Sequence, residues 1–173
     1  KLSSGAALAA ERNVIMAVSA THTGWRYDPA NTRLDFYYQG TRIGAINASQ
    51  MSLAAGDLAL AAGTIHIQDG GTVTQATNKG TGVTLSTNSG QITMNGAALA
   101  DDTEISFVVT NTNVAATDVV IANHGSAGTM GAYVVQASNI GAGTFELSVK
   151  NVSGGALSEA IVINVAVIKG ASS

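Results

Sequence analysis

Three histidines and one acidic cluster are the first candidates for chemistry in this sequence. His22, His66 and His124 lie far apart and in different contexts. None stands four residues from another or beside a carboxylate at metal-ligand spacing, so no metal-ligating set is expected. His124 differs in its surroundings. Asn123-His124-Gly125 ends a strand-like run and opens a glycine-rich stretch, Gly125 through Gly131, a place where binding residues often sit. Asp101, Asp102 and Glu104 form the acidic cluster. Paired carboxylates hydrolyse glycosidic bonds when they stand roughly 5–10 Å apart across a cleft. Calcium would need alternating oxygen ligands with a glycine, a spacing this cluster lacks. The plainer expectation is a solvated turn that opens the strand at Glu104.

Other chemistries find no motif. The chain has no Gly-x-Ser-x-Gly, no phosphate-binding loop and no Gly-x-Gly-x-x-Gly between a strand and a helix. Trp25, Tyr27, Phe36, Tyr37 and Tyr38 could stack on a sugar ring, but alternate strand positions suit a local core better. The expected assignment is therefore no catalytic, cofactor-binding or metal-ligating residue, no cofactor and no enzyme activity. There is no cysteine, so disulfides and thiolate metal sites are excluded and the redox compartment cannot be read.

Composition narrows the class of protein. Charged residues make up 11% of the 173, against about 25% in an average chain, and hydrophobic residues 46%. That is too apolar for disorder. Such a surface is built from hydroxyls, amides and methyls, with little charge to keep a monomer soluble. Coverage by partner copies explains it. The net charge is −3, which argues against nucleic-acid binding. Residues 1–71 hold five basic and five acidic groups, whereas 72–173 hold three basic and six acidic, which accounts for the −3. All four arginines, Arg12, Arg26, Arg33 and Arg42, fall in the first part. No apolar run reaches the roughly 18–20 residues of a spanning helix, so no membrane insertion is expected. The start at Lys1 lacks a signal-peptide pattern and implies processing or truncation.

The elements follow from periodicity and turn chemistry. Ser3 or Ser4 could cap a short helix over Ala6–Arg12, or the segment is an extended arm. Val14 to Val18 reads as a buried strand. Around Asp28-Pro29-Ala30-Asn31, aromatic flanks alternate as in a hairpin, because Pro29 presets φ for the turn. Gln39-Gly40 then turns into Thr41–Ile46, so 25–46 forms a small meander. Residues 47–71 carry an approximate Leu-Ala-Ala-Gly repeat, and Leu58, Leu60, Ile65 and Ile67 bury too little to form a core alone. Gly70-Gly71 marks a boundary.

Beyond it lie eight candidate strands: 73–77, 82–85, 91–94, 104–110, 118–123, 132–137, 144–149 and 160–169. Strands this short, at this spacing, read as a β-sandwich, and eight is the jelly-roll number. Ile105, Phe107 and Val109 share one face; Phe145, Leu147 and Val149 another; Ile161, Ile163, Val165 and Val167 a third. The last strand is apolar on both faces, which suits a central strand or a subunit contact. Glu159 is expected to pair with Lys150.

Several segments resemble a known family. Thr72-Val73-Thr74-Gln75-Ala76-Thr77-Asn78-Lys79, Gly82-Val83-Thr84-Leu85, Gly90-Gln91-Ile92-Thr93-Met94-Asn95, Ala115-Ala116-Thr117-Asp118-Val119-Val120 and Leu157-Ser158-Glu159-Ala160 are similar to a C-terminal β-domain of tailed-bacteriophage virion surface proteins. Those proteins are capsid decoration (cement), head-fibre or tail-fibre components. Residues 25–47 also resemble segments that precede knob domains in phage fibres. The resemblance implies a particle-surface location and an oligomer, most often a trimer. It carries over no catalytic residue.

The expected protein is all-β. An N-terminal arm with a small β-hairpin or meander (1–71) anchors and oligomerises. An antiparallel, jelly-roll-like β-sandwich knob (72–173) follows. The expected function is a homotrimeric capsid decoration or head-fibre protein that binds the major capsid protein or other virion proteins. The first rival is a tail-fibre tip that recognises host-surface glycans. The second is a glycan-cleaving enzyme.

Overall fold

The computed structural model describes residues 24–28, 30, 32–38, 41–47, 51–53, 64–67 and 70–170. The expected Ala6–Arg12 helix, the Val14–Val18 strand, His22, Gln39-Gly40, Leu58 and Leu60 lie outside them, as do Pro29 and Asn31 of the first turn. No helix occurs among the described residues, and the fold is all-β. The chain divides into two units, Lys1–Thr64 and Ile65–Ser173.

The first unit holds a four-stranded antiparallel meander. Its strands are β1 (Gly24–Asp28), β2 (Arg33–Tyr38), β3 (Thr41–Asn47) and β4 (Met51–Leu53), hydrogen-bonded in chain order. It extends the expected meander by one strand. Asp35 on β2 is fully buried and accepts from Arg33 Nε at 2.8 Å and Arg42 Nη1 at 3.2 Å. Two of the four arginines therefore neutralise one buried carboxylate, which burial would otherwise penalise. Phe36 and Tyr37 are half-buried; the side chains of Trp25, Tyr27 and Tyr38 lie outside the described set.

The second unit is the sandwich. Its strands are β5 (Gly70–Thr74), β6 (Val83–Thr84), β7 (Ser89–Thr93), β8 (Glu104–Thr110), β9 (Val119–Ser126), β10 (Tyr133–Gly141), β11 (Thr144–Asn151) and β12 (Val162–Ile168). One sheet runs β5-β7-β12-β9 and the other β10-β11-β8-β6. Both sheets are mixed, because β5–β7 and β6–β8 pair in parallel. The reason is connectivity. From β5 to β10 each strand crosses to the opposite sheet, so β5 and β7, and β6 and β8, become neighbours running the same way, whereas β12 separates β7 from β9 and β11 separates β8 from β10. Only β10 and β11 form a hairpin within one sheet. Gly70 and Gly71 belong to β5 rather than to a linker.

The core is one cluster from both sheets. It contains Phe107, Val109, Phe145, Leu147 and Val149 from one side and Ile92, Val120, Ile163, Val165 and Val167 from the other. The alternating faces read from sequence are the inward faces here, since residues two apart on a strand share a side. β12 is central, between β7 and β9, but only its odd-numbered residues are fully buried.

Polar side chains close the ends, with Gln75, Lys79, Asn111, Asp118 and Asn151 buried. Asn78, Asn95, Asn111 and Asn151 each accept, through Oδ1, the backbone N–H two residues on. This local bond shapes the turn that follows. Asn111 also donates to Thr87 O at 2.8 Å, and buried Gln75 donates to Lys79 O and Thr81 O, both at 2.9 Å. Lys79 is itself buried. Its Nζ donates to Asn95 O at 2.7 Å and Glu159 O at 2.5 Å. Burial lowers its pKa, with the Glu159 charge opposing.

Asp118 closes the other end. It is buried and accepts from Lys169 Nζ, from Ala115 N at 2.8 Å and from Gly170 N at 2.9 Å. The Lys169 hydrogen bond is the main cause that holds its carboxyl down to about 2, helped by the two backbone N–H groups. A carboxyl depressed in the fold binds fewer protons there than in the unfolded chain. Its contribution is complete above the ordinary aspartate range, near pH 4, and is lost as pH falls through about 2. Thermal melts should therefore show the wild type losing more stability than Asp118→Asn between about pH 5 and pH 2. Equal losses in the two proteins would refute this role.

Candidate functional site

Two features of the sandwich stand apart from its core. The first is the turn from β9 to β10. Ala127, Gly128 and Gly131 have φ of 57°, 69° and 76°. A side chain on Gly128 would meet Ile161 Cγ2 at 2.6 Å and Glu159 Oε2 at 2.9 Å, so only glycine fits against that carboxylate. Glu159 clamps the turn. Its Oε2 accepts Thr129 N at 2.9 Å and its Oε1 accepts Thr129 Oγ1 at 2.7 Å. These bonds, the backbone one foremost, hold the Glu159 carboxyl below its usual range. The expected Glu159–Lys150 pair does not form, because Glu159 is taken by Thr129 while Lys150 Nζ meets Asp102 Oδ1 at 2.5 Å.

His124 sits beneath the same turn. Its Nε2 lies 2.6 Å from Ala127 O, so Nε2 carries a proton and donates. Its ring meets Tyr133 edge-on, centroids 5.7 Å apart at 88°. Tyr133 is buried, which pushes its hydroxyl up to about 12, with the nearby Glu159 carboxylate adding to the shift. His124, Gly125, Ser126, Ala127, Gly128 and Met130 line an open cleft of about 140 Å³. Met130 stands at its edge, 95% exposed. Part of the expected glycine loop is thus strand: Gly125 and Ser126 end β9.

The acidic cluster serves structure. Asp101 and Asp102 form the expected turn before β8, exposed to solvent. Asp101 Oδ1 accepts Gly154 N at 2.8 Å, and Asp102 takes up φ of 55° beside Lys150. Glu104 is exposed on β8. None of the three lines the His124 cleft. His66 is exposed.

The second feature is the outward face of the β5-β7-β12-β9 sheet. β5 presents Gly70, Thr72 and Thr74; β7 presents Ser89, Gln91 and Thr93. β12 presents Val162, Asn164, Ala166 and Ile168, and β9 presents Val119, Ile121 and Asn123. None of these is charged. The register sets Val119 against Ile168 and Ile121 against Ala166, which makes an apolar corner along β9. Beside it Gln91 Nε2 donates to Asn164 Oδ1 at 3.0 Å. A side chain on Gly125 would come within 2.5 Å of that Asn164 amide, so the bulge at Gly125 leaves it room. The opposite outer face carries Glu104, Glu146 and Lys150. No sequence signal marked this face, since its residues come from four strands and each looks ordinary alone.

Compared with known protein families, curated proteins and solved structures, the chain matches none of them.

Proposed function

We propose that this chain is a non-catalytic structural component of an assembly, an oligomeric surface protein of a tailed-phage particle that decorates and stabilises the shell. The observation that carries the reading is the charge-free outer face of one whole sheet. Burying a charge is costly unless it is paired, whereas hydroxyls, amides and methyls come out of water at far lower cost. A face of this kind suits permanent contact, as in assemblies whose interfaces resemble a protein interior. The segments similar to phage virion β-domains support the particle surface as its location. The same resemblance points to a homotrimer, with the major capsid protein or another virion protein as the further partner; the uncharged face supports association of copies and does not set their number.

The second reading is a tail-fibre tip that recognises host-surface glycans. The cleft between His124 and Met130, held rigid by Glu159, favours it. Cryo-electron microscopy of intact particles that carry this chain separates the two. Density spread over the shell lattice is the expected result. Density at the tip of a tail fibre supports the second reading, and no density on the particle overturns both. The cheaper measurement is the mass of the purified chain in solution, where an oligomer is expected. A monomer at the highest attainable concentration counts against the assembly.

A further inference from the structure

We infer that the charge-free face of the β5-β7-β12-β9 sheet packs against a second copy of this chain. The inference rests on the structural-oligomer reading and names the surface that reading requires.

Charge points to the occupant. Residues 72–173 carry three lysines and six carboxylates, all of them off this face. Two copies that approach through it keep like charges apart, and like charges brought together oppose association. A basic partner would be drawn instead to the exposed carboxylates around Asp101 and Glu104. An acidic partner finds no cation on the face.

The chemistry of the face is also self-matching. Val119, Ile121 and Ile168 are 55%, 49% and 47% exposed, and together they form one apolar corner. Asn164 and Gln91 flank it, already bonded to each other at 3.0 Å. An amide both donates and accepts, so a row of amides pairs with a copy of itself, which a row of single-signed charges cannot do.

Size sets the strength. Four strands about 4.8 Å apart, five to eight residues long at about 3.3 Å per residue, project roughly 400 Å². A standard interface buries about 800 Å² per partner. This face alone therefore gives a concentration-dependent contact, and the rest of the chain adds to it.

The test is sedimentation of the full chain with a glutamate placed on one face or the other. Ile121→Glu puts a like charge into the contact and should weaken association at least roughly tenfold, with the melting transition retained. Val108→Glu adds the same charge to the outward face of the other sheet, where Val108 is 44% exposed, and should leave association unchanged. A folded Ile121→Glu that associates as tightly as the wild type overturns the face assignment while the assembly reading stands. Dissociation by Val108→Glu alone moves the interface to the other sheet and likewise overturns it. A monomeric wild type sinks both readings at once.

Discussion

Replacing Asn151 with alanine should lower stability by about 3 kcal/mol, more than any surface substitution in this chain. Asn151 is fully buried at the end of β11, and its amide satisfies three backbone groups. Nδ2 donates to Leu99 O and Gly155 O, both at 2.8 Å, and Oδ1 accepts Ser153 N at 3.0 Å. Alanine makes none of these bonds. Water can reach Ser153 and Gly155, which are exposed, but Leu99 is buried. Leu99 O keeps the hydrogen bond from Leu157 N at 3.0 Å, so the cost is the three lost hydrogen bonds, at about 1 kcal/mol each. For a unit of this size the melting temperature should fall by roughly 10 °C or more. Amide exchange at Leu99 and Leu157, which bond each other's backbone at 2.9 and 3.0 Å, should speed up with it. Asn113→Ala, at an exposed site, should change stability by less than about 0.5 kcal/mol. If Asn151→Ala matches Asn113→Ala, the amide does not hold this end of the sandwich together.

Phe145→Ala should cost about 3–5 kcal/mol. The core is made largely of valine, isoleucine and leucine, with only Phe107 and Phe145 as its phenylalanines. Phe145 is 1% exposed, and its cross-strand partner Val109 is fully buried. Valine and isoleucine are stiff at χ1, so they cannot swing into the space that a lost ring leaves. The cavity therefore stays open, and cavity volume drives the loss. Phe145→Leu should cost about 1–1.5 kcal/mol, because the volume change is small. Denaturant unfolding checks both: the midpoint should move while the slope stays the same. A loss below about 1 kcal/mol for Phe145→Ala would mean that the core collapses around the gap.

The fold was legible in the sequence to the extent that its signals are local. All eight strands expected between 72 and 169 are present, and β8 spans Glu104–Thr110 as read. Alternation grouped Phe107 with Val109 and Leu147 with Val149 because one pleated strand shows its two faces within a few residues; for the last strand, apolar on both sides, only the structure picked the face of Ile163. The exit turns were legible too, through asparagine and glycine. The buried roles of Gln75, Lys79, Asn111 and Asn151 were not. Each has a partner distant in sequence, such as Asn95 for Gln75, Thr87 for Asn111 and Leu99 for Asn151. Nor is the partner of Glu159 legible: the expected pair is with Lys150, whereas the folded turn brings Thr129 to it.

The sequence by itself determined an all-β chain, the shared faces of three strands and a surface short of charge. Period-two alternation and turn chemistry are properties of neighbouring residues, so no long-range information is needed to read them. Which strands share a sheet was decided only by the tertiary structure. β5 pairs with β7 and β9 with β12 because the chain crosses between sheets from strand to strand, and no local signal encodes that path. The charge-free face is a consequence of the same pairing. Val119, Gln91 and Ile168 are unremarkable one by one. They become a surface only when long-range hydrogen bonds set four uncharged strand faces side by side.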